Sequence, residues 1–346
     1  MLKRSFLIIF CILFTISILS GCGGSSNKSS GGSSTVTTDV YVAGAEYNEI
    51  CSVAKYWKNG VAVLLTDGKQ TAEARSIFVS GNDIYAAGYE YNGTCNVAKY
   101  WKNGTAVPLT NGSNDAYAYS IFVSGSDVYV AGIEDDAPHN VAKYWKNGSP
   151  VPLTNGSQDA RVESIFVSGA DVYVAGYESN GSKLVAKYWK NGAAIPLTDG
   201  TKDAGAGSII VSGNDVYVAG YHDNGSHFIA TYWKNGSEVS LTDGSKFACA
   251  YSIFVSGSDV YVAGAEFNGT RNVAKYWKNG TPVLLADGSQ TANAYSIKVL
   301  GNDVYTAGFE NSGGKSVSKY WKSGTAIPLT DGTRNAFAYG IFVNVH

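Results

Sequence analysis

The sequence predicts an all-β protein, a seven-bladed β-propeller with four antiparallel strands in each 44-residue blade. Three observations support this fold class. A Tyr-Trp-Lys string recurs seven times at intervals of 44 residues, each repeat contains four short runs rich in Val, Ile, Tyr, Phe and Trp, and no segment combines helical periodicity with helix caps. The repeated tryptophans are Trp57, Trp101, Trp145, Trp189, Trp233, Trp277 and Trp321.

One repeat, residues 76–119, shows how turn residues divide a blade into four strands, which we name A to D. A Gly-Asn pair at 81–82 separates strand A from strand B, and a loop at 92–93 leads to strand C. Strands C and D are joined by Asn-Gly at 103–104. Asn-Gly between two strands is a strong hairpin signal because both positions need positive φ.

The two ends of the repeat array are complementary. B strands begin at Asp39 and at every 44th residue up to Asp303, and no A strand precedes the first of them. The array ends with a lone A strand at 339–343. We expect this last strand to complete the blade that opens at Asp39, which closes the ring and removes exposed sheet edges.

The layout of the repeat, a short apolar A strand followed by Asp-Val-Tyr-Val-Ala-Gly in strand B, resembles the repeats of NHL-type and bacterial seven-bladed propellers. The resemblance extends over residues 39–345, within a predicted propeller domain at 39–346. It implies the architecture and a ligand-binding face formed by the B–C and D–A loops. It does not imply one activity, because propellers host unrelated functions.

The N-terminus has the features of a bacterial lipoprotein. Two basic residues precede an apolar run at 6–19, which is too short for a membrane-spanning helix. The Leu-Ser-Gly-Cys string that follows resembles a lipobox, which implies cleavage of a signal peptide at 1–21 and acylation of Cys22, for example with palmitate. By the same resemblance, Gly23 favours the outer membrane of a Gram-negative cell.

Composition limits the remaining possibilities. Residues 22–38 are mostly Gly, Ser and Thr, so after the lipidated cysteine they are predicted to form a flexible tether to the membrane. The net charge is −2 and there is no basic block, which argues against nucleic-acid binding. We expect Cys51, Cys95 and Cys249 to be free thiols, because corresponding loops of neighbouring repeats are usually too far apart for a disulfide.

Gly44 and Trp57 have counterparts in all seven repeats. With a B–C loop at 49–52 they would lie opposite each other, so we expect the indole to fill the volume above the glycine and to stabilise the blade. The alternative is a ring of tryptophans that stacks on sugars, although aromatic residues mainly contribute to cores. The turn aspartates, such as Asp83, are expected to hydrogen-bond the backbone of their own turn.

The same register places Glu46 opposite Lys55, and five further repeats contain the same pair. In the remaining repeat the glutamate is replaced by His222 and the lysine by Thr231. Because both partners change together, we predict cross-strand ion pairs rather than a ring of cation-binding carboxylates.

The repeats differ most in the B–C and D–A loops and at two positions that lead into each A strand. We expect these positions to line the mouth of the central channel, with the tyrosines of the second series plugging it. The first series is Glu73, Tyr117, Arg161, Gly205, Cys249, Asn293 and Phe337. The second series is Arg75, Tyr119, Glu163, Gly207, Tyr251, Tyr295 and Tyr339.

The fifth repeat has glycine in both series, and its B–C hairpin contains two histidines. We interpret this as a polar ligand-binding notch between the fourth and fifth blades, the alternative being ordinary variation on a solvated rim. The candidate residues are Arg161, Glu163, Gly205, Gly207, His222, Asp223 and His227. Zinc needs more ligands than the two histidines supply, so we predict no metal site and no cofactor.

These features favour a lipid-anchored protein of the cell envelope, exported and monomeric, that recognises a carbohydrate or a protein on the B–C/D–A face. Nearly identical blades with four histidines show no nucleophile–base constellation, so we expect no enzymatic activity. One alternative is a hydrolase or lyase with its site at the channel mouth. A further alternative is a surface display or spacer protein without a soluble ligand.

Overall fold

The computed structural model describes residues 37–136 and 138–345, which contain 28 β-strands in seven four-stranded antiparallel sheets. This confirms the predicted all-β, seven-bladed fold. In these residues no helix is long and apolar enough to cross a membrane. The predicted signal peptide at 1–21, the lipidated Cys22 and the tether up to residue 36 lie outside the described residues.

Each sheet is one blade, with strand A innermost and strand D outermost. The A strands are β28 (Ala336–Val345), β4 (Ala72–Ser80), β8 (Ala116–Ser124), β12 (Ala160–Ser168), β16 (Ala204–Ser212), β20 (Ala248–Ser256) and β24 (Ala292–Leu300). The B strands are β1 (Thr38–Tyr47), β5 (Asp83–Tyr91), β9 (Asp127–Asp136), β13 (Asp171–Ser179), β17 (Asp215–Asp223), β21 (Asp259–Phe267) and β25 (Asp303–Ser312). The C strands are β2 (Ser52–Lys58), β6 (Asn96–Lys102), β10 (His139–Lys146), β14 (Leu184–Lys190), β18 (Phe228–Lys234), β22 (Asn272–Lys278) and β26 (Lys315–Lys322). The D strands are β3 (Val61–Leu64), β7 (Thr105–Pro108), β11 (Ser149–Pro152), β15 (Ala193–Pro196), β19 (Ser237–Ser240), β23 (Thr281–Leu284) and β27 (Thr325–Pro328).

The ring is closed by the C-terminal strand, as predicted. Strand β28 pairs with β1, with Phe342 opposite Tyr41, so blade 1 takes its A strand from one end of the propeller and its other three strands from the other end. The A strands of successive blades contact one another around the whole ring, including β24 with β28 and β28 with β4. The inner wall of the channel is therefore continuous.

The C–D turns have the predicted conformation, with φ of 50° at Asn103 and 84° at Gly104. The Asn103 side chain also ties this turn to the A–B turn, because its Oδ1 accepts a hydrogen bond from the amide of Ile84 at 2.9 Å and its Nδ2 donates one to Asp83 at 2.7 Å. The carboxylate of Asp83 also pairs with Lys102 at 2.7 Å. The expectation that Asp83 would hydrogen-bond the backbone of its own turn was wrong, because its carboxylate is bound by the side chains of Asn103 and Lys102.

The repeated tryptophans are buried between neighbouring blades. Trp101 of blade 2 packs in one cluster with Tyr41 and Ala43 of blade 1, and Trp57 of blade 1 packs with Tyr305 of blade 7. All seven indoles are at most 1% exposed. They therefore join the blades into a ring and leave no indole face on which a sugar could stack.

The predicted pairing of Gly44 with Trp57 was wrong by two residues, since Gly44 lies opposite Lys55. The B–C loop begins at Asn48, one residue earlier than predicted. The side-chain oxygen of Asn48 accepts hydrogen bonds from the amides two and three residues farther on, at 3.0 and 2.9 Å, and this fixes the start of the loop. The indole of Trp57 still reaches the glycine, because a Cβ there would lie 3.0 Å from its ring.

A β-bulge in every A strand explains the repeated glycine better than the indole does. In blade 2, Ala74 and Ser76 pair with strand B and Arg75 is the extra residue between them. The bulge brings the carbonyl oxygen of Glu73 so close to Gly88 that a Cβ there would lie 1.8 Å from it. The corresponding distance is 1.8–2.1 Å in all seven blades, so only glycine fits.

The six predicted ion pairs form, although the true register makes the partners diagonal neighbours rather than directly opposite. In blade 2, Lys99 Nζ lies 2.6 Å from Glu90 Oε2, and both side chains are largely buried. In blade 5, the side chains of His222 and Thr231 contact each other instead, with 3.2 Å between Nδ1 and Oγ1. The other pairs are Lys55–Glu46, Lys143–Glu134, Lys187–Glu178, Lys275–Glu266 and Lys319–Glu310.

The three cysteines of the described part are free thiols, as expected. The sulfur of Cys51 donates a hydrogen bond to the carbonyl of Gly68 at 3.1 Å. Burial raises the pKa of the Cys249 thiol to about 11, so this thiol is protonated at neutral pH.

Candidate functional site

The bulge turns two consecutive side chains of each A strand toward the channel. Arg75, the bulged residue of blade 2, lines a cavity at the end of the channel that carries the B–C and D–A loops, and Ser76 lines a second cavity farther along. The second series identified from the sequence lines the first cavity in all seven blades. These residues are Arg75, Tyr119, Glu163, Gly207, Tyr251, Tyr295 and Tyr339.

We call this first cavity the cup. Its volume is about 560 Å³, which is within the range of small-molecule sites. Besides the second series, its lining contains Arg161, Gly205, Phe337, Tyr177, Tyr221, Ala206 and Ala250. Four of the seven predicted site residues, Arg161, Glu163, Gly205 and Gly207, therefore come together at one place.

The polar side of the cup is formed by blade 4. The guanidinium of Arg161 lies over the ring of Tyr119, 4.3 Å from its centroid, and its Nε is 2.5 Å from Glu163 Oε1. Both members of this ion pair line the cup. The pair thus presents hydrogen-bond donors and a carboxylate acceptor next to each other at the cavity surface.

A second arginine, Arg75 of blade 2, lies over a tyrosine of blade 1. The guanidinium of Arg75 is 4.1 Å from the centroid of the Tyr339 ring, and its Nη2 is 2.6 Å from Glu73 Oε2. Each arginine of the cup is therefore neutralised by a glutamate from its own strand. The stacked, paired geometry also holds both guanidinium groups in place.

The tyrosines of the cup are neutral phenols at physiological pH. Burial raises the pKa of Tyr221 to about 12. Burial also raises the pKa values of Tyr119, Tyr251 and Tyr339, to values still farther above their ordinary range. Their hydroxyl groups remain protonated and can both donate and accept hydrogen bonds to a ligand.

The two glycines of blade 5 have different roles. A Cβ at Gly205 would lie 2.9 Å from the ring of Tyr221, so that ring occupies the space which a side chain would need. At Gly207 the nearest atom to a Cβ is the carbonyl oxygen of Tyr251 at 3.2 Å, and no side chain takes its place. Gly207 therefore opens the cup on the side of blade 5, where four other blades have a tyrosine.

The structure does not bring His222, Asp223 and His227 into the cup, which corrects the predicted notch. Successive side chains of a strand point to opposite faces, so in strand β17 the cup receives Tyr221, while His222 contacts Thr231. Asp223 and His227 belong to the B–C hairpin beyond it. Within residues 37–136 and 138–345, no group of three or more His, Cys, Asp and Glu side chains converges on a common point.

Four cup residues were missed by the sequence analysis: Ala206 and Ala250 of the A strands, and the two tyrosines Tyr177 and Tyr221. Both tyrosines directly follow the repeated glycine of strand B. The corresponding residues of the other blades are Ala45, Tyr89, Ile133, Ala265 and Phe309, which form a third variable series. Variation among the repeats at this position could have identified it as part of the site, because the glycine before it never changes and the residue after it is glutamate in six of the seven repeats.

Comparisons with known proteins support the fold alone. An acylaminoacyl peptidase from Pyrococcus horikoshii has a TM-score of 0.52 at 14% identity, over 85% of this chain and 51% of that one, so the chain spans about half the length of the peptidase. A putative TolB from Agrobacterium tumefaciens has a TM-score of 0.45 at 9% identity, over 90% of this chain and 99% of that one. Neither a protein-family model nor a curated protein sequence matches the chain. The NHL-like resemblance therefore stays a prediction.

Proposed function

We propose that the protein is a recognition module without enzymatic activity, which binds one carbohydrate ligand in the cup. The observation that carries this proposal is the opening at Gly207. Four blades have tyrosine at this position and two have Arg75 and Glu163, so blade 5 alone lacks a side chain there, which leaves a cavity of about 560 Å³ beside the Arg161–Glu163 pair.

The chemistry of the cup favours a neutral, hydroxyl-rich ligand. Phenol rings offer flat apolar faces with hydroxyl groups at their edges, which suits the alternating C–H and O–H surface of a sugar ring. The charges of Arg161 and Arg75 are balanced by Glu163 and Glu73, so no net charge calls for an ionic ligand. A concave cavity of this size also fits a small ligand better than a flat protein surface.

The geometry favours one site per molecule rather than seven equivalent sites. The repeated tryptophans are buried, and the repeated Glu–Lys pairs are internally satisfied. What differs between blades lies in the cup, where Gly207 occurs only once. Binding with a stoichiometry of one is therefore the signature to look for.

We also propose that the protein is exported and held in the cell envelope by a lipid on Cys22. The proposal rests on the Leu-Ser-Gly-Cys string at 19–22 and the basic and apolar residues before it. Labelled palmitate should be incorporated into the full chain and not into a Cys22→Ala variant. Equal labelling of both would overturn lipidation at this residue.

A glycan-array screen of the full chain, followed by titration calorimetry of the hits, tests the carbohydrate proposal. The key variant is Gly207→Tyr, which gives blade 5 the residue that four other blades contain and fills the cup. The matched control is Ser168→Tyr, at the exposed far end of strand β12. We expect binding of about one ligand per chain, lost in Gly207→Tyr and kept in the control.

Three outcomes would contradict the proposal. Several equivalent sites per chain would place recognition on the repeated blade surfaces. A blank array together with a protein partner whose binding is lost in Gly207→Tyr would replace the sugar by a protein. Turnover of a bound glycan or ester that is lost in Glu163→Gln would make the protein a propeller enzyme.

A further inference from the structure

A second, smaller cavity lies on the channel beyond the cup, and we call it the chamber. Its volume is about 130 Å³, and all seven A strands contribute to its lining. Six of them contribute a serine at the position that directly follows the bulge, and β28 contributes Gly340 instead. The serines are Ser76, Ser120, Ser164, Ser208, Ser252 and Ser296.

The serine hydroxyls are arranged to donate hydrogen bonds into the chamber. Each Oγ accepts a hydrogen bond from the amide of an isoleucine in the next blade, for example from Ile121 to Ser76 at 3.2 Å. The same bond occurs at 3.1–3.2 Å for the other five serines. Within the described residues none of these hydroxyls donates a hydrogen bond to the protein, so each retains a free O–H group.

The chamber also contains one unpaired cation, Lys298. Two residues after the serine, five blades have phenylalanine that packs with a neighbouring ring or with Lys298, as Phe78 does with Phe122 at 4.9 Å between ring centroids. Lys298 replaces this residue in blade 7, and its Nζ lies 5.2 Å from the centroid of the Phe254 ring. In the described part of the chain Nζ has no hydrogen bond or ion pair, and the residues that line the chamber include no Asp or Glu.

We propose that the chamber binds one small monovalent anion, of the size of a halide or formate, through the ammonium group of Lys298 and the surrounding serine hydroxyls. The site offers donors and a positive charge but no acidic acceptor, which matches a guest that only accepts hydrogen bonds. Its volume admits a small ion with some water and excludes larger organic acids. This site is separate from the cup and does not depend on the function proposed for it.

The desolvation of Lys298 also supports an anion site in the chamber. Burial lowers its pKa to about 8, and no Asp or Glu lines the chamber to offset the cost of the charge. No other titratable side chain lines the chamber. An anion beside Nζ would supply the missing countercharge and favour the protonated form.

Bromide is the probe that tests the proposal, because it scatters anomalously and is close to chloride in size. Crystals of the full chain grown with sodium bromide should show one anomalous peak within contact distance of Lys298 Nζ. In solution, the melting temperature should rise with the logarithm of the bromide concentration above the Kd, and the rise should be about 2 °C once bromide is tenfold above its Kd.

Two variants separate this site from general salt effects. Lys298→Phe introduces the residue that five other blades have at this position, and it should abolish both the anomalous peak and the bromide-dependent shift in melting temperature. Lys315→Met removes the same charge from an exposed residue and should behave like the unmodified chain. If Lys298→Phe fails to fold, Lys298→Met serves in its place.

Equal bromide responses in all three proteins, or anomalous peaks only outside the chamber, would overturn the proposal. The Gly207→Tyr variant should keep the full bromide response, since its substitution lies in the cup. A response lost in that variant would mean that the ion binds in the cup rather than in the chamber.

Discussion

Replacement of Lys298 by phenylalanine should stabilise the protein at neutral pH, and the part of this gain that comes from removing the charge should vanish as the pH rises. Lys298 is a desolvated cation without a countercharge, and its Nζ lies 5.2 Å from the centroid of the Phe254 ring. Phenylalanine at this position extends the ring of aromatic contacts that runs from Phe342 through Phe78 to Phe122. The variant removes the cost of burying the charge and adds apolar contacts.

The size and the sign of the effect follow from the pKa of Lys298, which desolvation lowers from 10.5 to about 8. Each pKa unit corresponds to about 1.4 kcal/mol, so the charge reduces the free energy of unfolding by at most about 3 kcal/mol. Below pH 8 both the folded and the unfolded chain bind the proton, and this cost is complete. Between pH 8 and 10.5 only the unfolded chain keeps the proton, so the stability of the unmodified protein rises with pH.

Urea unfolding at intervals from neutral pH to pH 10.5 measures this difference. Halide-free buffers and urea are essential, because guanidinium chloride would supply the anion proposed for the chamber. Ionisation of the many tyrosines in this pH range affects the unmodified chain and Lys298→Phe alike, so it cancels in their difference. Lys315→Met controls for the loss of one positive charge.

The separation between the curves for the unmodified chain and Lys298→Phe should narrow by up to about 3 kcal/mol as the pH rises. A separation that stays constant over the whole range would refute the reasoning, because it would mean that Lys298 has an ordinary pKa and is not desolvated. Added bromide should narrow the separation at neutral pH by stabilising the unmodified chain alone. A separation that bromide leaves unchanged would contradict the anion site while keeping the desolvation argument intact.

Two further predictions concern the blade. Gly88→Ala should lower the free energy of unfolding by about 3 kcal/mol, because its Cβ would lie 1.8 Å from a backbone oxygen. Gly207→Ala should change the free energy of unfolding by less than about 1 kcal/mol. Urea unfolding of both variants measures the two changes. Glu178→Gln should lower the free energy of unfolding by about 1–3 kcal/mol, because it leaves Lys187 without its carboxylate partner at 2.7 Å. The double variant Glu178→His, Lys187→Thr, which copies blade 5, should restore most of this loss of stability. A double variant less stable than the single one would contradict the pairing.

The fold could be predicted because its determinants are local and repeated. The Asn-Gly turn at 103–104 specifies its own backbone conformation, and the seven copies of the 44-residue repeat specify the number of blades. Strand register was harder to predict, because it depended on which residue begins the B–C loop. The side chain of Asn48 settles that choice through two hydrogen bonds, and the sequence pattern alone allowed a start one residue later.

The site was only partly predictable because the bulge has no sequence signal of its own. The bulged position contains Arg75, Tyr119, Glu163 or Gly207 in different blades, so no residue type marks it. Without the bulge, strict alternation would turn either residue 75 or residue 76 away from the channel. Lys298 could have been found by aligning the repeats, since five of its six counterparts are phenylalanine and the sixth is isoleucine.

The distribution of variable residues follows from what each position must contact. The repeated tryptophan of every blade packs against a neighbouring blade, and the repeated glycine lies against the backbone of strand A. A substitution at either position therefore lowers stability; at Gly88, for example, a Cβ would lie 1.8 Å from the carbonyl oxygen of Glu73. The side chains at the bulged position of each A strand face the cup, and they can change without breaking a blade. A ring of equal residues would nevertheless present the same group seven times around the axis. Specific binding on the axis therefore requires single exceptions, and Gly207 in the cup and Lys298 in the chamber are exceptions of this kind, at two different depths of one channel.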